Sequence, residues 1–434
     1  MILNDLMPTQ RCLIQNRRQI YNTKTQNALD IIDTGLQSAL PQNLLAGMIA
    51  KNKLRVGNKV YSMSKYGKIY VVAVGKAADS MAKLVDSKIK LERGIIVIPQ
   101  NYNPVFRNKK FQIHRAGHPI PNKSSVVAAK SILSLLKNAE KDDFVIFLIS
   151  GGASALVCMP EGITLAQKQQ ITKLLLKCGA TIDEINSVRK HLSSIKGGKL
   201  VQNLPCSAIS LVMSDVAGDN LASIASGLTH FDDSTFSDCM KIIRKYGLER
   251  KASSVLRRLR FGVRGEINET PKKSAIPNFI VATNKDCVSV MAKKAASLGY
   301  TTKTLTPISG DVKTAAKKIL QSFSNAKNSC LVFGGEPTVK VTGSGRGGRN
   351  QELVLWILKN LKDPDVIVVS IGTDGIDGNT KYAGAISDFI PDCDEIDSYL
   401  SDNNSNAFFK KHHRLILTGP THTNLMDVGL IMRS

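Results

Sequence analysis

The residues best suited to chemistry in this chain are glycines grouped with fixed positive charge. Residues 341–358, VTGSGRGGRNQELVLWIL, hold Gly343, Gly345, Gly347, Gly348, Arg346 and Arg349 directly ahead of a helix-like run. Glycine leaves backbone N–H groups bare, and a helix N-terminus adds unpaired donors and a favourable dipole. The stretch therefore reads as an anion nest in which Gly345, Gly347, Gly348 and Arg349 converge on phosphate. Gly343, Gly345 and Gly348 also satisfy G-x-G-x-x-G. A dinucleotide site needs an acid ending the second strand ~20 residues on. Here Asp363 and Asp365 precede the next strand instead. The competing reading is a basic loop that carries no ligand.

Four other stretches offer site residues. LISGGASAL sets Ser150, Gly151, Gly152 and Ser154 between a buried strand and a helix. That is the carboxyl edge of an α/β sheet, where backbone N–H groups can approach phosphate; a plain βα turn is the alternative. VAVGKAAD sets Lys76 at a similar turn, where an ammonium can neutralise charge on a transferring phosphoryl group. SDVAGD (Asp215, Asp219) and GTDGIDG (Asp374, Asp377) end strands with carboxylates. Asp215 and Asp374 are candidate Mg2+ ligands, because that ion takes one or two carboxylates plus substrate phosphates. Turn-forming aspartates are the alternative. Position 12 counted from Asp374 is Ala385, so this is no EF-hand. NSVRKHLSSIKGGKL places Arg189, Lys190 and Lys196 on or near one helix, as substrate-binding cations or as a solvated basic face; His191 reads as an ordinary histidine. P-loop and G-x-S-x-G patterns are absent from the sequence, which disfavours P-loop ATPases and ordinary serine hydrolases.

These turns must be held by a framework, and the pattern supplies one. Short apolar strands (Ile69 to Val74, RGIIVIP, Phe144 to Ile149, SAISLVM) alternate with glycine-containing turns and helices beginning near Ala77 and Ser124. TIDEINSVRKHLSSIKGGKLVQNL reads as one helical run broken at Gly197-Gly198, and residues 25–40 as an amphipathic helix. A basic, less apolar stretch follows from about 240 to 275, and then a second strand-helix series starting at NFIVAT. The expectation is an α/β protein: two α/β/α sandwich domains with mostly parallel sheets, the first Rossmann-like. The first domain spans 1–240, with 412–434 as a segment that could complete it, and the second spans 241–411. RLILTG-TGPTHTNLMDV would then bring Thr418, Thr421 or Asn424 back to the first domain.

Composition bounds the class. The 434 residues, 43% hydrophobic and 22% charged, suit a globular chain of two or three domains. Apolar runs have strand length, far short of the ~20 residues of a membrane span. The N-terminus, with Asp5, does not resemble a signal peptide, so a cytoplasmic location is expected. Eight scattered cysteines without C-x-x-C or zinc spacing read as reduced, mostly buried thiols. Net charge is +24, carried by the first 360 residues, while the remainder is net acidic. Such charge attracts nucleic acid nonspecifically, but only 5% of residues are aromatic and no nucleic-acid-type basic block appears, so small anionic substrates are the preferred reading.

Taken in order, VGKAAD, AGHPIPNKSS, SGGASAL, NSVRKHLSSIKGGKL, SDVAGD, IASGLT, GGEPTVKVTGSGRGGRNQE, GTDGIDG and TGPTHTNLMDV resemble the class II glycerate 2-kinases, whose C-terminal part is called the MOFRL domain. The match runs from about residue 25 to 430. The resemblance implies ATP-dependent phosphorylation of D-glycerate to 2-phosphoglycerate with Mg2+ or another divalent cation, and two α/β domains with the site in the cleft between them. It also implies active-site roles for Lys76 and Arg349. The implied partners are D-glycerate and ATP, with no specific nucleic acid and no membrane; a homodimer is left open. The chain departs from the family pattern at Ala153, Ala217 and Leu228, where a glycine and two prolines are usual. Ala153 would matter if that backbone requires a positive φ. Two other readings remain: a hydroxypyruvate reductase using NAD(P)H, and a basic nucleic-acid-binding protein.

Overall fold

The computed structural model describes residues 12–361, 363–389 and 393–434. The N-terminal stretch with Asp5 lies outside the described residues. These form two compact units. One comprises residues 44–283 with His422–Asn424, and the other residues 12–43, Asn284–Thr421 and Leu425–Ser434.

The first unit is built on six strands: β1 (Ile69–Val74), β2 (Arg93–Pro99), β3 (Phe111–Ala116), β4 (Phe144–Ile149), β5 (Ser207–Met213) and β6 (Asn278–Ala282). Their order is β3-β2-β1-β4-β5-β6, and every pairing is parallel. β1 and β4 are buried at all six positions, because helices cover both faces of a parallel sheet and leave no polar face to alternate with. From β1 the chain moves outward to β2 and β3, then returns to β4 on the other side. The topological switch point therefore lies between β1 and β4, the place where open α/β sheets bind ligands. Helices start where the sequence provides caps. The Asn122, Thr164, Thr181 and Thr235 side chains each accept from the backbone N–H three residues on, opening helices Lys123–Lys137, Leu165–Lys177, Ile182–His191 and Phe236–Lys245. The third of these ends at His191, well before Gly197 (φ 63°) and Gly198 (φ 82°), so the helical run expected as far as those glycines is shorter than its composition suggests. A small antiparallel ribbon of Ile49–Ala50, Lys53–Val56 and Lys59–Ser62 completes the unit.

The second unit carries β7 (Thr301–Asp311), β8 (Ser329–Thr338), β9 (Val366–Gly372), β10 (Gly384–Ser387), β11 (Leu415–Ile416) and β12 (Asp427–Arg433) in the order β7-β8-β12-β9-β10-β11. The mostly parallel arrangement is the rule in the first sheet, whereas this one is mixed. β7 and β8 are parallel, and the other pairings are antiparallel. β12 is buried at six of its seven positions and sits between β8 and β9. An apolar run such as VGLIM needs cover on both faces, and only an interior strand position provides it. Residues 412–434 therefore do not complete the first sheet; their strand is central to the second, and only 422–424 group with the first unit. The division of the chain also falls at 283/284 rather than at 240/241, because β6 extends the first sheet by pairing with β5. Helix Gln26–Ser38 belongs to the second unit. It lies against helix Asn284–Ser297, where Gly35 has no Cβ to strike Met291 and its carbonyl accepts from Cys287 Sγ at 3.1 Å. Of the cysteines in the described part, five are buried, Cys12 is half-buried and Cys178 exposed, all as free thiols; the Cys393 side chain lies outside it. Among the described residues, no helix is long and apolar enough to cross a membrane.

Candidate functional site

In the first unit the candidate groups gather at the switch point. Gly75 follows β1 at φ 134°, and a Cβ there would lie 2.5 Å from the Ser150 carbonyl oxygen. Only glycine lets the two turns approach this closely. They are then stitched together: Lys76 N donates to Gly151 O (2.9 Å), Ala77 N to Ser150 Oγ (3.0 Å) and Ser150 N to Val74 O (3.0 Å). Ser150 is thus a buried acceptor that fixes the turn after β1. Asp215 follows β5. Burial raises its carboxyl above the usual range, while the Lys76 charge and the Gly152 N–H pull the other way. A Cβ on Gly151 would overlap Asn424 Nδ2 and lie 2.6 Å from Asp215 Oδ2, and one on Gly152 would lie 3.0 Å from the His118 ring. Lys76, Ser150, Gly151, Gly152, Ser154 and Asp215 therefore share one locality, with His118 and Asn424 beside the same turn. Ala153 is not among the residues with positive φ; Gly152 (φ 88°) takes that conformation instead, so the departure at 153 introduces no strain.

Arg189 and Lys190 read differently in the structure. Lys190 is buried and paired with Asp232 at 3.1 Å, and Lys196 is also buried. Arg189 is half-buried, and burial lowers its pKa. The solvated basic face is therefore not what these residues form, because the helix carrying Arg189 and Lys190 packs into a helical layer containing Phe236, Cys239 and Leu259. Asp79 was not singled out in the sequence. It is fully buried in helix Ala78–Lys88, accepts from Val105 N at 2.8 Å and meets His422 Nδ1 at 3.3 Å, which helps hold the 422–424 segment. The acid in G-K-A-A-D, at the start of a buried helix, was the available signal.

In the second unit the glycine-rich loop is tied down by its own chain. Gly343 N donates to Asn403 Oδ1 (3.0 Å), Ser344 N to Asp402 Oδ1 (2.8 Å), Gly345 N to Asp402 O (2.9 Å), Arg346 N to Asn404 Oδ1 (3.2 Å) and Gly347 N to Asn379 Oδ1 (3.1 Å). A Cβ on Gly345 would lie 2.5 Å from Asn404 Cβ. At Gly345, the missing side chain allows close approach of two backbones. The N-terminus of helix Arg349–Asn360 is also taken: Asn350 N and Gln351 N each donate to an oxygen of Asp377 at 3.0 Å. The Gly345 and Gly347 N–H groups that an anion nest would use already have acceptors within this unit. Asp377 is a buried helix cap, pushed up to about 6 by burial. A dinucleotide turn is disfavoured for the same reason. Arg349 is held by Asp427 and by Glu336, its Nη1 2.8 Å from Glu336 Oε1. Neither acid was singled out in the sequence; Glu336 in GGEPT and Asp427 in LMDV carried little local signal. Asp374 is buried and accepts from Ile376 N at 3.1 Å, a turn contact. Asp374 and Asp215 belong to different units, and among the described residues no three His, Cys, Asp or Glu side chains form a ready cation site. One carboxylate with phosphate oxygens and water still meets the needs of Mg2+.

Residues 27–260 match the family model described as a domain of unknown function, DUF4147, and residues 329–427 match the MOFRL family. The chain is 37% identical over 422 residues to a glycerate 2-kinase of Pyrococcus horikoshii, covering 92% of this chain and 95% of that protein. It is 35% identical over 430 residues to a D-glycerate 2-kinase of Thermotoga maritima, covering 93% and 98%. A relative from Agrobacterium vitis, 35% identical over 395 residues and covering 84% of this chain and 87% of that protein, carries a provisional hydroxypyruvate reductase name. Among solved structures, a glycerate kinase of Thermotoga maritima superposes with a TM-score of 0.79 at 32% identity, covering 94% of this chain and 99% of that one. A Pyrococcus horikoshii protein gives 0.77 at 36%, covering 96% and 99%. With its DUF4147 and MOFRL parts in this order, and with relatives of this identity aligned along nearly their whole length, the chain belongs to the MOFRL-family glycerate 2-kinases.

Proposed function

We propose that this chain transfers the γ-phosphoryl group of ATP to the 2-hydroxyl of D-glycerate, giving 2-phosphoglycerate. The observation that carries the reading is the switch-point arrangement of the first unit, where Lys76 is hydrogen-bonded through its backbone to the Ser150–Gly152 turn and coupled to Asp215. Phosphoryl transfer needs in-line positioning and neutralised charge more than a protein nucleophile. An ammonium beside a small-residue turn at the carboxyl edge of a parallel sheet meets that need. Lys76 stabilises negative charge on the transferring group or on the glycerate carboxylate. Ser150, Gly151, Gly152 and Ser154 form the phosphate-bearing turn. Arg349 supplies a second cation whose direction is set by Asp427 and Glu336. Bound Mg2+ neutralises phosphate charge, with Asp215 or Asp374 as its carboxylate ligand. Lys190, buried and ion-paired with Asp232, and the half-buried Arg189 on the same helix fit a structural role better than substrate binding. The free thiols suit a reducing, cytoplasmic setting.

Incubation of the purified protein with D-glycerate, ATP and Mg2+ should release ADP, and phosphorus NMR should find the product phosphate on O2. Oxidation of NAD(P)H with hydroxypyruvate, without ADP release from glycerate, would establish the reductase instead.

A further inference from the structure

Lys196 is the least expected side chain in the first unit. It is 2% exposed, and its Nζ donates to two main-chain carbonyls, Ala153 O at 3.1 Å and Ala225 O at 3.0 Å. Burying an ammonium against neutral acceptors is costly, and a packing role would be filled more cheaply by Met or Leu. The two carbonyls belong to informative places. Ala153 lies within the Ser150–Ser154 turn. Ala225 begins three consecutive left-handed residues, Ala225 (φ 54°), Ser226 (φ 55°) and Gly227 (φ 62°). Non-glycine residues in that region are strained and persist where their surroundings hold them. A second link runs in parallel: Ser226 Oγ is 2.9 Å from Ser154 Oγ and donates to Asn186 Oδ1 at 3.0 Å. The turn at 153–154 is thus tied twice to a strained turn that has no contact role assigned in the reaction.

We propose that Lys196 is a positioning residue for nucleotide binding: clamped between the Ala153 and Ala225 carbonyls, its ammonium fixes the backbone of the Ser150–Ser154 turn and sets a positive charge behind the phosphate that the turn receives. This rests on the reading of that turn as the phosphate site. Burial pulls the Lys196 ammonium down to about 7, against the Cys158 thiol, which favours the charge, while Lys168 and Arg189 add to the lowering. A phosphate arriving on the far side of the turn favours the charged form. Nucleotide binding therefore weakens as pH rises above neutrality, to the extent that Lys196 loses its proton.

The test is steady-state kinetics in ATP across pH 6.5–9 on the wild type, Lys196→Met, Lys196→Gln and Gly151→Ala, with melting temperatures for each. Lys196→Met should raise KM for ATP about tenfold or more with a smaller change in kcat, and should flatten the rise of KM with pH. Lys196→Gln, which keeps N–H donors without the charge, should recover part of the affinity and none of the pH dependence. If Lys196→Met proves folded and its KM for ATP and pH profile match the wild type, the inference is overturned. If Lys196→Met does not fold, Ser226→Ala takes its place, with a raised KM for ATP supporting the clamp and an unchanged one overturning it. An unchanged KM for ATP in Gly151→Ala would instead overturn the assignment of the turn itself, so the two failures are distinguishable.

Discussion

Arg349 donates from Nε to Asp427 Oδ2 at 2.5 Å and from Nη2 to Asp427 Oδ1 at 2.9 Å, a two-point contact that fixes the plane of the guanidinium. Its remaining edge meets Glu336 on β8, next to Asp427's strand. The pairing spans 78 residues of sequence but lies within one unit. If Arg349 serves the reaction, Asp427→Asn should keep the fold and lower kcat/KM by about 10–100-fold, since a misaimed cation forfeits much of a charge-assisted contact. Kinetics on glycerate and ATP, beside a melting curve, check this.

Lys76→Met removes the ammonium while leaving the main-chain stitches to Ser150 and Gly151 in place. The expected loss is about 10²–10³ in kcat, the scale of removing one stabilising donor at a reacting centre. The melting temperature should change little, because Lys76 is half-buried and its main-chain bond to Gly151 O survives the substitution. Near-normal turnover would remove Lys76 from the mechanism.

Asp377→Ala should behave in the opposite way. It deprives two helical N–H groups and the Asn350 and Gln351 side-chain amides of their shared acceptor. Loss of a helix cap costs about 0.5–2 kcal/mol, and this buried one should lie at the upper end. Thermal or urea denaturation reads the effect, and loss of stability well above that of Asp374→Ala would confirm that the two aspartates of GTDGIDG do different work.

The buried lysines give a pH signature in stability. Burial lowers Lys196 to about 7 and Lys168 to about 8, whereas an unfolded lysine titrates near 10.5. Between those values the unfolded chain binds more protons, so stability from these groups rises with pH from about 7 toward 10.5, and the cost of charging them is fully present below 7. The gain in melting temperature between pH 7 and 9 should be smaller in Lys196→Met than in the wild type. Equal gains would mean that Lys196 is charged throughout.

Much of the framework could be read locally. Runs such as FVIFLI are apolar at every position, and that pattern with glycine turns between helices leads to a buried parallel sheet. Caps at Asn122, Thr164, Thr181 and Thr235 follow from the same few residues that form them. The turns holding Lys76 and Ser150–Gly152 were legible because a βα turn is a local event at a sheet edge. What glycines do is not local. Those of 343–348 look alike in sequence whether they cradle an anion or admit residues 402–404, and the choice depends on which segment comes to lie beside them. Burial is likewise a property of the assembled chain, so Lys196 resembles any surface lysine until two turns close over it. The position of the last strand, central in the second sheet and antiparallel to both neighbours, was decided in the same way: hydrophobic pattern demands an interior position, but only tertiary packing determines which sheet supplies it.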